Sequence, residues 1–169
     1  IEAENLPIYA QVAGRGIGIL MSWEGTAHPF AIHPTFLKMA GLTPAQRLAE
    51  LKKPEVRAQM LGEQQAPLSM LPAWITPEFA SFVLQSFHKM YLVEGAIDYE
   101  PTAEHTLTAM AAATSKSVYE LAYDHMCKGG LIYFPVFNYA DSILEPTRAL
   151  HQHPRTRLGL SDAGAHCGS

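Results

Sequence analysis

The sequence has 169 residues, 48% of them hydrophobic and 17% charged, and a formal net charge of −4. That balance describes one folded domain with a sizeable core and excludes a disordered chain. It gives no electrostatic reason to expect nucleic acid or a membrane surface as partner, and Lys and Arg are scattered along the chain rather than gathered into a patch.

The two cysteines, Cys127 and Cys167, stand at no metal-type spacing and are too few for a disulfide framework, so a reducing cytoplasm is the simpler expectation. No apolar run approaches the ~20 residues that span a bilayer, and no signal peptide is visible at the start. The chain opens on Ile1 rather than Met, which suggests a segment of something longer.

In chain order, "LPIYAQVAGRGIGILMS" reads as strand: Ile8, Ala10 and Val12 alternate with Tyr9 and Gln11. Its glycines, at 14, 16 and 18, do not have the spacing of a dinucleotide fingerprint, and no helical pattern follows. They read instead as positions where a strand end turns sharply. His28 and His33 each precede a proline and belong on extended or turn backbone. Thr43, Pro44 and Gln46 spell a capped helix start, and Pro54 breaks and restarts the helix.

The span from Gln64 to Pro77, with three prolines, reads as loop. Pro77 opens a helix predicted to run to about Met90, with Phe79, Phe82, Val83, Phe87 and Met90 at core spacing. "YLVEG" is a brief strand, and Thr102 is the expected cap of a helix reaching about Ala113. Ser117 and Glu120 make a second capping box, and Gly129-Gly130 stops the helix that follows.

"LIYFPVFNYAD" is a nearly continuous apolar run of the kind found in a parallel strand covered on both faces. A short helix, "LEPTRALHQHP", and a second buried strand, "RLGL", complete the rhythm of a βαβ unit.

In parallel α/β sheets the functional side chains sit where strands end. Asn138 with Asp141, and Ser161 with Asp162, occupy such ends. Asp162 follows "RLGL" directly, with Ala163, Gly164 and Ala165 leaving room beside it. A carboxylate there can ligate a metal or carry a proton; it can equally cap a helix. The HQH at 151–153 falls at a helix end, where alternate residues point apart, and reads as solvated rather than as a metal pair.

"LIYFPVFNYAD" together with "HPRTRLGLSDAGAHCGS" resembles the N-acyl-D-amino-acid deacylase (D-aminoacylase) branch of the amidohydrolase superfamily. "IYAQVAGRGIGILMSWEGTAHPF" and "LKKPEVRAQML" resemble it too, so the likeness runs over essentially the whole chain. The resemblance implies the second half of a metal-dependent (β/α)8 TIM barrel. The strand through Gln11 and Val12 would be the sixth of the barrel and "LIYFPVF" the seventh, with a helical insertion at about 43–128 in a single domain over 1–169.

It implies zinc as cofactor, a small-molecule N-acyl amino acid as substrate, and a metal-bound water as nucleophile, with Asp162 as metal ligand and proton shuttle. Arg15, His28 and His166 are the expected substrate-binding residues. The first-strand His pair and the bridging ligand of the superfamily are expected upstream of Ile1, so the chain alone is expected to be inactive. The alternative is a non-catalytic α/β binding or interaction module. Self-association through the open sheet edges of a partial barrel is a further expectation.

Overall fold

A computed structural model describes residues 6–67, 76–139 and 143–159. The architecture is mixed α/β. The strands are β1 (Ala10–Val12), β2 (Ile17–Met21), β3 (Tyr91–Val93), β4 (Leu131–Phe137) and β5 (Thr156–Leu158). The helices are α1 (Pro34–Leu37), α2 (Pro44–Leu51), α3 (Pro54–Gly62), α4 (Pro77–Gln85), α5 (Leu107–Ala113), α6 (Val118–Cys127) and α7 (Glu145–Gln152). Among the described residues the strands form two separate sheets and close no barrel: β1 pairs with β5 in parallel, and β4 lies between β2 and β3 with both pairings antiparallel.

That topology corrects two expectations. β4 is buried on both faces as its apolar run requires, but its neighbours run antiparallel to it rather than parallel. An unbroken apolar run reports two-sided burial, and a central antiparallel strand satisfies it as well as a parallel one does. β5 is the strand with a parallel partner, yet its Arg157 and Leu158 are exposed rather than buried.

The sheet is shaped by Pro135. Proline donates no ladder hydrogen bond, and the β2–β4 register slips opposite it, between Ile17 and Gly18. Side chains of β4 then divide by parity. Ile132 and Phe134, both fully buried, face the core with Met21 of β2. Tyr133 faces the other way, in register with Leu20 of β2 and Tyr91 of β3.

The helices begin where their caps dictate. Thr43 and Gln46 close a capping box on α2, and Ser117 and Glu120 close another on α6. Gly129, at φ +85°, ends α6. The Gly130 amide donates to the His125 carbonyl and the Gly129 amide to that of Met126, the paired bonds of a left-handed helix stop.

Two helices depart from the sequence reading. α5 is capped by Thr106, whose hydroxyl accepts from the Ala109 amide, while Thr102 precedes a 3-10 turn at Ala103–His105. α4 stops at Gln85, where the Ser86 hydroxyl donates to the Phe82 carbonyl, and a separate 3-10 turn carries Phe87 into the core.

Residues 43–128 hold α2 to α6 but also β3, which pairs with β4, so that span and the strands share one core. Trp23, Phe30, Leu51, Met60, Tyr123, Met126, Ile132 and Phe134 are its centre. Each large side chain buried there contributes roughly 1.5–3 kcal/mol relative to exposure. The Tyr123 hydroxyl donates to the Leu51 carbonyl at 2.8 Å, fixing α6 against the end of α2. Arg57 of α3 grips Asp124 of α6 through Nε at 2.7 Å and Nη2 at 3.1 Å.

Candidate functional site

The parallel pairing of β1 and β5 brings the carboxyl ends of both strands to one edge. Val12 is opposite Leu158, and the Gly159 amide donates to the Val12 carbonyl at 3.0 Å. Arg15 follows three residues after Val12, in the bend that separates β1 from β2. It is exposed, and its Nη1 donates to the neighbouring Gly16 carbonyl at 3.3 Å. A guanidinium in this position is free to present its fork to a carboxylate.

Arg15 also lies within electrostatic reach of Tyr133. Burial pushes the Tyr133 phenol up from its ordinary range, Tyr99 and Tyr91 add to the rise, and Arg15 opposes it. The Tyr99 ring meets Tyr133 edge-on at 5.8 Å, and the Tyr139 and Tyr91 hydroxyls stand 3.5 Å apart. The tyrosines are grouped by the antiparallel β3–β4 register. Reading β4 as parallel hides that register, and alternation along β4 alone does not reveal it.

His28 falls in a different side-chain cluster. It is 3% exposed, with Trp23 edge-on at 5.3 Å and Phe36 edge-on at 4.6 Å. The Phe30 amide donates to its Nδ1 at 3.2 Å, so the neutral ring carries its proton on Nε2. That Nε2 has no hydrogen-bond partner among the described residues, and neither has Nδ1 of His33, a second buried histidine.

Burial, His33 and Arg47, in that order, lower the His28 pKa to about 3. Burial lowers that of His33 as well, against the pull of Glu63. Arg47 lies over the Phe36 ring at 5.2 Å and donates to the Trp23 carbonyl. A histidine so placed is neutral at physiological pH and too weak a base for proton abstraction there. The cavity that His28 lines, with Phe79 and Val83, is about 30 Å³, space on the scale of one water rather than of a substrate.

Asp162 and His166, the expected shuttle and its substrate-binding neighbour, lie outside the described residues, as do Asp141 and Cys167. Among the described residues no three His, Cys, Asp or Glu side chains gather as a metal site. His151 and His153 are exposed at the end of α7, each already engaged: His151 Nε2 lies 3.1 Å from the Ala13 carbonyl, and His153 Nδ1 accepts from the Arg155 amide. The thiol of Cys127 is half-buried and burial pushes it up, away from the thiolate that nucleophilic chemistry needs. Among the described residues no helix is long and apolar enough to cross a membrane.

Comparison with known proteins found no matching family model, no matching curated protein and no matching solved structure.

Proposed function

We propose that the chain is a segment of the catalytic barrel of a metal-dependent amidohydrolase of the N-acyl-D-amino-acid deacylase type, acting on the amide bond of N-acyl-D-amino acids in the cytoplasm. The observation that carries this reading is the run "RLGLSDAGAH". It sets a carboxylate among small residues just after a strand. The parallel β1–β5 pair fits the reading, because both strands end on the same side, which is where a parallel barrel keeps its chemistry; β4, the strand this reading sets beside β1, pairs antiparallel in the other sheet instead.

On this reading Asp162 removes a proton from the attacking water as its oxygen adds to the amide carbonyl. It returns that proton to the nitrogen as the carbon–nitrogen bond breaks, leaving a carboxylate and an amino acid. Arg15 and His166 are the substrate-binding residues, with Arg15 suited to the substrate carboxylate. His28, neutral and buried, holds the loop between β2 and α1 in shape.

Zinc is the metal the resemblance implies, and bound there it supplies Lewis acidity. The described residues do not fit a zinc site by themselves, and the reading takes the remaining ligands from outside them. One carboxylate does not hold a catalytic metal, and the chain by itself is expected to be inactive. The test is Asp162→Asn in the longer protein: turnover should fall by about 100-fold or more, the scale of a lost general acid–base. Turnover near wild type would remove the shuttle role.

A second reading, a non-catalytic interaction module, is favoured by the apolar side chains left exposed around β1 and β5. Ile8 is 48% exposed, Tyr9 50% and Leu158 63%. Open strand edges beside such residues invite pairing with another chain. The coding sequence ahead of Ile1 separates the two readings: an H-x-H after an apolar strand favours the enzyme. A solution mass measurement shows whether the edges pair.

A further inference from the structure

A cavity of about 250 Å³ opens between β3, the connection at 94–105 and α5. Tyr91 and Tyr133 supply aromatic walls, Met110 an apolar one, and Glu94, Asp98 and His105 the polar side. Among the described residues no Lys or Arg lines it, and Arg15, the cation within electrostatic reach of Tyr133, is not part of its wall. Two acidic residues in a wall that also holds aromatic rings make a field that favours positive charge, although Asp98 Oδ1 already accepts from the Glu100 amide at 2.9 Å.

Tyr133 adds an independent observation. It is only 4% exposed, and its hydroxyl has no hydrogen-bond partner among the described residues. A buried hydroxyl left unpaired costs free energy that a ligand donor recovers. Glu94, Asp98 and His105 do not gather as a metal site. The space therefore suits a larger cation with an apolar body, not a bare metal ion.

We propose that this cavity binds a small organic cation, a primary ammonium carried on an aromatic or alkyl body. The ammonium donates to Glu94, Asp98 and the Tyr133 hydroxyl, and its apolar body lies against Tyr91 and Met110. The cavity shares no wall residue with Arg15, and the inference does not rest on the amidohydrolase reading.

The experiment titrates the protein with phenethylamine at neutral pH and low salt, following tyrosine and methionine signals by NMR. Phenethyl alcohol and phenylacetate serve as neutral and anionic controls of matched shape. Saturable binding by the amine is expected, with a Kd of about 1 mM for a ligand of this size. The alcohol should bind about tenfold more weakly and the acid more weakly still.

Glu94→Gln combined with Asp98→Asn should weaken the amine about tenfold. Both positions are exposed, so the fold is kept. Tyr133→Phe should weaken it severalfold while leaving the order of the three ligands unchanged. The proposal is overturned if the alcohol binds as well as the amine, if the double variant binds the amine like wild type, or if the amine does not bind at about 50 mM, far above the expected Kd.

Discussion

The ring of Tyr133 occupies the space that a side chain on Gly18 would need. A Cβ built at Gly18 would stand 2.6 Å from Cε2 of Tyr133 and 3.0 Å from the Phe134 carbonyl oxygen. β2 can therefore lie this close to β4, opposite the Pro135 irregularity, only with glycine there. Gly18→Ala should displace the Tyr133 ring and destabilise the protein by about 1–3 kcal/mol, the cost of overpacking. Gly14→Ala is the control, since nothing lies within 4 Å of its Cβ position, and it should change stability by less than about 0.5 kcal/mol. Urea denaturation of the two variants checks the contrast.

His28 should make the fold acid-sensitive. Its folded-state pKa is about 3 against an ordinary 6.5, so below 6.5 the unfolded chain takes up a proton that the folded one refuses. Stability from this group is complete above pH 6.5 and is lost as pH falls from 6.5 toward 3, by up to about 1.4 kcal/mol per unit. His33, lowered mainly by burial, acts in the same direction. The charges around them pull both ways, Arg47 against protonation of His28 and Glu63 in favour of protonation of His33. His28→Asn keeps an acceptor at the position of Nδ1 for the Phe30 amide and removes the titration. The plot of unfolding free energy against pH should then be flatter between pH 6.5 and 4; a slope equal to wild type would show that His28 is not the group responsible.

The grip of Arg57 on Asp124 should be a modest, salt-sensitive contribution. Its hydrogen bond holds the Asp124 carboxyl below its ordinary range, with Lys116 helping. That stability is present above the unfolded carboxyl pKa and lost as pH falls through the lower folded value. The partners remain 34% and 27% exposed, so solvent screens them. Arg57→Met should cost about 1 kcal/mol at neutral pH and less in high salt. Melting curves at low and high ionic strength measure both effects.

At Gly129 the backbone is left-handed, φ +85°, to let α6 turn into β4. Gly129→Ala should cost about 1 kcal/mol from the backbone alone, because nothing lies within 4 Å of its Cβ position. Thermal denaturation reads the loss.

What the sequence made legible were the local features whose causes are local. The capping boxes at Thr43 and Ser117, the Pro54 break and the Gly129 stop all follow from side-chain and backbone rules within a few residues. Strand direction was not legible, because the burial pattern of "LIYFPVF" is the same for either orientation of its neighbours. The cap of α5 is Thr106 rather than Thr102; the two carry the same chemistry, and only the 3-10 turn at Ala103–His105 separates them. Phe79 and Phe82 fit a buried stripe by spacing, yet they are 37% and 38% exposed because α4 turns only Ala80 and Val83 fully inward.

Of the candidate site residues, Arg15 lies in the exposed bend after β1, while His28, polar and beside a proline, packs in the aromatic core. The tyrosine and carboxylate cavity had no sequence signature, because its members come together only through the β3–β4 pairing and the connection that follows.

The most direct measurement of the central claim is hydrolysis of N-acetyl-D-amino acids by the longer protein containing this chain, beside the L enantiomers and with bound metal quantified. Release of free D-amino acid, at least about tenfold faster than of the L form and abolished when the metal is removed, is the predicted result. A metal-free protein, or one that leaves both enantiomers intact, would contradict the amidohydrolase reading.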